Sequence, residues 1–319
     1  MSSLPTEPDA AEAVRIGLGQ TALVVNRFPT GNHHFVYDVY TDHNEWVVAR
    51  LALPSQREFL AGAVYWSNQL RPKGIPLPKI LAANLDSIKS PFPFLILERF
   101  PGTDLEEVYE DLSSDDRRRL ASEMVRLHSI VSQLPHGPGF GYLTSYENKP
   151  TQTQWSETVQ ASLTRSRARI REAKRVNESC VDEIEALLPS LQAYFNSIQP
   201  IPFLPDITTK NVIIDKNRLS GIVDVDTLCF GDPLLTVALT RTALWSEKRD
   251  LDYVECWTEL LQLQPEQQRA LDFYTAQCVV DFMSELGHAF NRAKPAKIDT
   301  KRLARLQAMH AELVKSLRG

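Results

Sequence analysis

Short apolar runs rich in valine, phenylalanine and tyrosine occupy the chain from about residue 14 to residue 53. They read ALVVNRF, FVYDVYT and EWVVARLAL, and turn-forming residues separate them at 29–32 and 41–44. β-Branched and aromatic side chains fit a pleated, half-buried surface, whereas Gly, Pro, Asn and Asp favour turns. The pattern therefore predicts three consecutive antiparallel strands.

The next segment, 55–71, has helical spacing instead. Its apolar side chains recur every three to four residues, at Phe59, Ala63, Trp66 and Leu70. Ser55, with Glu58 three positions later, matches a capping box at the start of a helix. A proline-rich connector follows, and the apolar run PFPFLILERF then predicts one more strand.

Beyond Pro101–Gly102 the spacing of apolar residues becomes helical almost throughout. We therefore place a hinge at about 97–102, between an N-terminal lobe (1–100) and a C-terminal lobe (101–319). A chain of 319 residues is long enough for two hydrophobic cores. The predicted fold class is α+β: an antiparallel sheet with one main helix, followed by a mostly helical lobe.

One segment of the second lobe does not fit the helical pattern. Residues 203–232 read FLPDITTKNVIIDKNRLSGIVDVDTLCFGD, and their two apolar runs predict a β-hairpin. If its turn is centred on Asn217–Arg218, Asn211 lies opposite Asp224, with Cβ atoms about 4.5–5.5 Å apart. An amide oxygen and a carboxylate at that separation can share Mg²⁺, whose oxygen ligands lie about 2.0–2.1 Å from the ion. The hairpin therefore predicts a metal site.

Asp206 precedes this hairpin in PDITTK, where Pro205 and turn-prone residues end any strand. A carboxylate on a loop beside a metal can accept the proton of a substrate hydroxyl during phosphoryl transfer. Simpler interpretations stay open. Asp206 fits a turn or N-cap, Asn211 and Asp226 fit polar positions of a turn or edge strand, and Asp232 fits the N-cap of the next helix.

Composition excludes several classes of function. The chain is 43% hydrophobic and 24% charged, with a mean hydropathy of -0.25, which is typical of a soluble globular protein. A net charge of -5 gives no basic footprint for nucleic acid, and no apolar run is long enough to cross a bilayer. The four cysteines are widely spaced, so neither a zinc site nor a disulfide framework is predicted. We expect a cytoplasmic protein with neither a nucleic-acid nor a membrane partner.

The motifs resemble those of the aminoglycoside phosphotransferase-like family of small-molecule kinases, which includes choline kinase relatives and shares the protein-kinase-like fold. The resemblance rests on Asp206 and Asn211 in D-x4-N spacing, Asp224 thirteen residues later, and the Gly-Asp-Pro that follows at 231–233. Four further segments are similar to family elements: FPTGNHHFVYDVY to the nucleotide loop, EWVVARL to the strand with the phosphate-binding cation, FLILERFPGTDL to the hinge strand, and RRRLASEMVRLHSI to the helix ending in Leu-His.

The resemblance implies ATP and Mg²⁺ as cofactors and a small-molecule hydroxyl group as the phosphate acceptor. By position, Asp206 takes the role of the catalytic base, and Asn211 and Asp224 hold Mg²⁺. Arg50 contacts the α- and β-phosphates, and Glu58 orients it. The remaining nucleotide contacts fall to the main chain of Glu98, Arg99 and Phe100, at the adenine, and to Gly31 and Asn32, over the phosphates.

The sequence departs from the family pattern at three positions. Leu204 replaces the histidine that usually stands two residues before the catalytic Asp, so that support of the loop is missing. Arg50 stands where many members have Lys, and the phosphate loop has one glycine, Gly31. The histidines beside these motifs are assigned to the loop surface (His33, His34) and to a structural role near a helix end (His128).

The acceptor is not readable from any single motif. Residues after 233 balance acidic against basic side chains, which argues against a polycationic aminoglycoside and for a neutral or zwitterionic molecule or another natural product. Aromatic residues of the second lobe fit either its pocket or the helical core: Trp155, Trp245, Tyr253, Trp257, Phe273, Tyr274 and Phe282. A nucleotide-binding module without catalysis is the alternative function, and a helical scaffold without nucleotide is a third. The choice between ATP and GTP also stays open.

Overall fold

A five-stranded antiparallel sheet forms the N-terminal part of the chain. The computed structural model describes residues 4–28, 34–86, 90–150, 152–292 and 294–319. The strands are β1 (Ala22–Arg27), β2 (Phe35–Thr41), β3 (Trp46–Leu51), β4 (Ile80–Asn84) and β5 (Phe94–Glu98), paired in the order β1-β2-β3-β5-β4. Inward and outward residues alternate along β2, as expected for a sheet with one covered face. The three N-terminal strands and the strand within 91–100 are confirmed.

Strand β4 was not predicted, because Pro76 and Pro78 make its surroundings look like a connector. It pairs with β5 at an edge of the sheet, where nearby prolines remove no ladder hydrogen bond.

The first helix, α1 (Glu7–Leu18), was also missed. Its buried residues are small, Ala10, Ala13 and Val14, so its apolar stripe is weak in the sequence. Its start nevertheless carries a signal, since the Asp9 carboxylate accepts a 2.8 Å hydrogen bond from the backbone N–H of Thr6.

Helix α2 (Arg57–Leu70) confirms the helix predicted at 55–71. The predicted capping box is wrong, because Ser55 lies inside a 3₁₀ turn, Pro54–Gln56, and the α-helix begins only after it. Buried Leu60, Trp66 and Leu70 form the inner face of α2.

The C-terminal part is mostly helical, as predicted. Its helices are α3 (Leu105–Val108), α4 (Ser114–Ser132), α5 (Trp155–Ala173), α6 (Ser179–Glu185), α7 (Leu188–Ser197), α8 (Leu234–Ser246), α9 (Asp252–Leu261), α10 (Pro265–Ser284) and α11 (Thr300–Arg318). No helix in the described part of the chain combines the length and the apolar composition that a bilayer span requires.

Two small sheets stand among these helices, where a single hairpin was predicted. Strands β6 (Thr103–Asp104), β9 (Val212–Asp215) and β10 (Arg218–Ile222) pair in the order β10-β9-β6. Strands β7 (Gly141–Leu143), β8 (Pro202–Phe203) and β11 (Leu228–Phe230) pair in the order β7-β11-β8. Strands of two or three residues carry too little period-2 pattern to be recognised in a sequence.

The core of the C-terminal part contains most of the aromatic residues for which the sequence left a choice between the acceptor pocket and the helical core. Trp155, Tyr253, Trp257, Phe273 and Tyr274 are almost fully buried, so core packing accounts for them.

Asp232 has a structural role within this core. Its carboxylate accepts hydrogen bonds from the hydroxyl groups of Tyr194 at 2.7 Å and Tyr274 at 2.9 Å, and from the backbone N–H of Leu234 at 3.0 Å. Asp232 thus supports the start of α8 from the position before the N-cap, which is Pro233, so its predicted place as the N-cap itself is wrong by one residue.

Candidate active site

The predicted hairpin is formed by β9 and β10, with a register that differs from the predicted one. Its turn residues are Lys216 and Asn217, which both have positive φ (50° and 59°), and the ladder is irregular between Leu219 and Gly221. The backbone N–H of Val223 donates to the carbonyl of Asn211 at 2.9 Å. Asn211 therefore lies opposite Val223, and its predicted pairing with Asp224 is wrong by one residue.

Asp224 follows the end of β10 and has a left-handed backbone, with φ of 65°. Aspartate tolerates this conformation better than most residues. The side chain of Asp224 is 43% exposed, and its Oδ1 accepts a hydrogen bond from the Arg50 guanidinium. The change of backbone direction thus turns Asp224 out of the sheet register and toward the N-terminal lobe.

Asp206 and Asn211 are joined within one loop. The Asn211 Nδ2 donates to the backbone carbonyl of Asp206 at 2.8 Å, and the hydroxyl of Thr208 donates to Asp206 Oδ1 at 3.3 Å. Because Nδ2 is engaged in this way, the orientation of the Asn211 amide leaves Oδ1 available as a ligand.

Asp206 is exposed to solvent, although neighbouring protein groups partly desolvate its carboxylate. Desolvation by these surroundings, followed by the negative charge of Asp224, raises the pKa of Asp206 to about 7. A carboxyl group with such a pKa accepts a proton readily near neutral pH.

The loop before Asp206 is supported without the expected histidine. Leu204 is fully buried, and its backbone carbonyl accepts a 2.7 Å hydrogen bond from the Thr236 hydroxyl on α8. The ring of His128 on α4 approaches the same carbonyl and lies 5.6 Å from the Trp257 ring, measured between centroids. Support by packing and by two polar side chains thus replaces the missing histidine, and His128 is structural, as expected.

Arg50 on β3 connects the N-terminal sheet to the segment after the hairpin. Its Nη1 and Nη2 donate to Oδ1 and Oδ2 of Asp226, each at 2.7 Å, and Nη2 also donates to Asp224. The paired N–H groups of a guanidinium match the two oxygens of a carboxylate. The predicted Arg50–Glu58 pair is not among the ion pairs of the described residues; Glu58 is exposed and accepts a 3.2 Å hydrogen bond from the Thr144 hydroxyl instead.

His34 completes this cluster and is not a surface residue. It is 6% exposed, and its Nε2 lies 2.8 Å from Asp226 Oδ2. Burial alone would raise the pKa of Asp226, but the charge of Arg50 and the His34 contact lower it below its usual range. The expectation for His34 was wrong because a sequence does not show which lobe a loop packs against. His33 lies outside the described residues.

Ligand atoms that suit a cation meet at this point. One atom each from His34, Asp224 and Asp226 lie within 4.8 Å of one another. With the Asn211 amide oxygen, the carboxylates provide the hard oxygen donors that Mg²⁺ prefers. Arg50 neutralises much of the charge of Asp224 and Asp226.

The other predicted nucleotide contacts are placed in part. The backbone N–H of Glu98 donates to the backbone carbonyl of Lys79 at 2.9 Å. The Arg99 side chain donates to the Asp38 carboxylate at 3.2 Å and to the backbone carbonyl of Phe100. A Cβ on Gly221 would lie 2.2 Å from the Phe100 ring, so this ring packs directly on the hairpin. Gly31 and Asn32 lie outside the described residues.

A pocket opens beside Asp206. Its empty volume, including the open mouth, is about 540 Å³. Pro205, next to Asp206 in the chain, forms part of its wall together with side chains from β7, α5, α8 and α10. A molecule in this pocket lies next to the segment that carries Asp206.

Besides His34, Asp226 and Thr236 were not assigned to the site from the sequence. Asp226 was interpreted as a polar position of a turn or edge strand and received no role in the site. Thr236 gave no signal, because a threonine inside a helix is unremarkable.

Comparison with known proteins identifies the family to which the chain belongs. The profile of a family described as "Phosphotransferase enzyme family" (APH) matches residues 24–276. No curated protein matches the chain significantly.

Solved structures of low sequence identity share the fold. A thermostable mutant of aminoglycoside phosphotransferase APH(4)-Ia, in ternary complex with AMP-PNP and hygromycin B, is 15% identical with a TM-score of 0.69, covering 98% of this chain and 99% of that one. The GDP complex of an aminoglycoside 2'-phosphotransferase-IIIa mutant is 14% identical with a TM-score of 0.65, covering 98% and 96%. A putative fructosamine-3-kinase from Thermobifida fusca is 13% identical with a TM-score of 0.60, covering 97% and 98%.

Proposed function

The chain belongs to the APH phosphotransferase enzyme family, and on this basis we propose that it transfers the γ-phosphate of ATP to a hydroxyl group of a small molecule with the help of Mg²⁺. The observation that carries the proposal is Asp206. A pocket opens beside it, with the adjacent Pro205 in the pocket wall, and the pKa of about 7 suits the Asp206 carboxylate to accept the hydroxyl proton.

The residues around Asp206 hold the reacting groups in place. The Asn211 side chain fixes the loop through the Asp206 carbonyl, and Thr236 anchors the preceding residue. Such positioning supplies much of the catalysis of phosphoryl transfer, because little covalent chemistry is left for the protein.

Asn211 and Asp224 are the proposed ligands of Mg²⁺, with Asp226 beside them. When bound, Mg²⁺ neutralises charge on the transferred phosphate. Arg50 holds both aspartates in the cleft and presents positive charge there. Main-chain groups of Glu98, Arg99 and Phe100 are proposed to bind the adenine, and Gly31 and Asn32 to cover the phosphates.

A nucleotide-binding module without catalysis is the second candidate. It is favoured by the pairing of Arg50 with Asp224 and Asp226, because the guanidinium proposed to bind phosphate is already engaged. Under this alternative the chain binds Mg²⁺ and ATP but transfers no phosphate.

Replacement of Asp206 by Asn separates the two candidates. The amide keeps the shape of the side chain but cannot accept the proton, so we expect phosphoryl transfer to fall by about 10²- to 10⁴-fold. Binding of Mg²⁺ and ATP and the melting temperature should stay near those of the wild type.

The measurement is ADP release with Mg²⁺ and ATP over a panel of hydroxyl compounds, with Asp215→Asn as the matched control on the same hairpin. Equal transfer by wild type and Asp206→Asn would refute the role of Asp206. ATP binding without transfer to any compound would favour the second candidate.

A further inference from the structure

The pocket beside Asp206 contains features that identify the kind of acceptor. Resting on the proposed function, we propose that the acceptor is an uncharged alcohol in which an apolar ring adjoins a hydrogen-bond donor, an aryl glycoside being the simplest example. The ring packs against Tyr142, and the donor binds Gln277 and Thr158. Charge, unpaired polar atoms and exposed apolar surface support this proposal independently.

The charges of the pocket wall are already paired. Asp281 is the carboxylate among the described lining residues, and its Oδ1 lies 3.2 Å from the Arg165 guanidinium and 3.5 Å from that of Arg169. The Ser166 hydroxyl donates to the same oxygen at 2.8 Å. Glu285, nearer Asp206, also lies 4.0 Å from Arg169. Among the described lining residues Arg165 thus balances Asp281, and apart from the adjacent Asp206 a polycation finds no surplus of negative charge on this wall.

Two polar atoms in the wall lack partners among the described residues. Oε1 of Gln277 on α10 and Oγ1 of Thr158 on α5 are buried without a hydrogen bond to any residue that the structure describes, although both residues line the pocket. The residues are 5% and 8% exposed. A buried polar group without a partner costs about 1–3 kcal/mol. A ligand that donates a hydrogen bond to Gln277 removes this cost, and a hydroxyl or amide N–H is such a donor.

The apolar part of the pocket has an aromatic residue at its surface. Tyr142 lines the pocket yet is 51% exposed, which is unusual for a large aromatic side chain on a strand. Leu235, Leu239 and Pro205 continue this apolar surface toward Asp206. A planar or sugar ring covers the exposed Tyr142 face and places an adjacent hydroxyl near the catalytic carboxylate.

The test measures acceptor binding rather than turnover. Phenyl and nitrophenyl glycosides serve as uncharged probes, choline as a small cationic alcohol and hygromycin B as a polycation, each titrated calorimetrically into the full-length protein. We expect the best aryl glycoside to bind at least tenfold more tightly than either cation. Tighter binding of the cations, or no binding by any aryl glycoside, would overturn the proposal.

Variants at Gln277 sharpen the test. Gln277→Leu should weaken aryl glycoside binding by about tenfold, since one hydrogen bond of roughly 1.4 kcal/mol corresponds to that factor. The same variant should melt at an equal or higher temperature, because an unpaired buried polar atom is removed. Gln277→Glu adds a negative charge and should shift preference toward the cations.

Gln268→Leu, at an exposed position of the same helix, is the matched control and should change neither property. Unchanged glycoside binding in Gln277→Leu would refute the assigned contact. Because binding is measured without transfer, glycoside binding that is not followed by phosphorylation would count against the proposed function alone.

Discussion

Asp206 and Asp226 carry the same functional group, and their surroundings shift its pKa in opposite directions. Burial and the neighbouring charge of Asp224 raise the pKa of Asp206 to about 7. Around Asp226 burial acts in the same direction, but Arg50 and His34 outweigh it and lower the pKa. Carboxyl groups with separated pKa values divide the chemistry of a site between them. One can accept a proton, while the other stays charged.

His128 shows how a residue that supports the site also limits its stability in acid. Burial lowers the pKa of His128 to about 4 from 6.5, although the nearby carbonyl of Leu204 opposes the shift. The folded protein therefore favours the neutral form of the His128 side chain over the charged form. The stability that the neutral side chain contributes to the free energy of unfolding is complete above pH 6.5. It is lost as the pH falls from 6.5 toward 4.

We therefore predict that replacing His128 by Gln flattens the acid limb of the stability curve. A depression of the pKa from 6.5 to about 4 corresponds to about 3 kcal/mol of unfolding free energy lost between those two pH values. Urea unfolding at a series of pH values measures this difference. His136→Gln removes an exposed histidine and should leave the curve unchanged. If His128→Gln and wild type lose stability in parallel, the assigned linkage is wrong.

At the scale of elements, the hairpin shows what the sequence could and could not determine. The apolar runs of 203–232 were sufficient to predict β9, β10 and the loop that carries Asp206. The register of the hairpin could not be predicted from these runs, because it depends on the positive-φ turn at Lys216–Asn217 and on the irregularity before Gly221. The turn lies one residue earlier than predicted, which moves the pairing by two positions, and the irregularity moves it back by one. The net shift of one residue changes which side chains oppose each other.

Helix α2 has a glycine where it passes the segment that contains Asp224 and Asp226. A Cβ on Gly62 would lie 2.1 Å from the backbone oxygen of Asp226 and 2.9 Å from the Cβ of Thr144. Backbone atoms cannot move aside as a flexible side chain can. The absence of a side chain at this position therefore lets α2 approach Asp226 closely.

We predict that Gly62→Ala is destabilising although alanine is the better helix former. Overpacking costs about 1–3 kcal/mol, more than the gain in helix propensity of about 1 kcal/mol. Phosphoryl transfer should fall as well, because Asp226 must shift. Denaturant unfolding and ADP release measure the two effects, with Asn68→Ala at an exposed position of α2 as control. Wild-type stability in Gly62→Ala would contradict the close approach.

At the scale of the whole molecule, the local spacing of apolar residues predicted an N-terminal sheet and a helical C-terminal part. It did not predict the contacts between these two parts. The strands β1, β2, β3 and β5 and most helices followed from residue spacing. The His34–Asp226 and Arg50–Asp226 contacts join residues 192 and 176 positions apart. A family resemblance assigned Arg50 to the phosphates, yet only the fold shows that it joins Asp224 and Asp226 across the cleft. The hinge at 97–102 stays a prediction.

The Arg50 contacts suggest that stability and cation binding are linked across the cleft. Arg50 is 5% exposed and holds two carboxylates that would otherwise repel each other. Removing one member of a buried ion pair typically costs about 3–5 kcal/mol. Because Asp224 is partly exposed, we expect Arg50→Met to lose about 3 kcal/mol of unfolding free energy, at the lower end of that range.

Mg²⁺ should restore part of that loss. Without the guanidinium, Asp224 and Asp226 bind the divalent cation more tightly, and a ligand that binds only the folded state stabilises it. The melting temperature, recorded with EDTA and with millimolar Mg²⁺, should therefore rise more in Arg50→Met than in wild type. Arg57→Met removes an exposed arginine and should respond as wild type does. An equal response to Mg²⁺ in Arg50→Met and wild type would mean that the two carboxylates do not take up the ion, and the proposed metal site would fail with them.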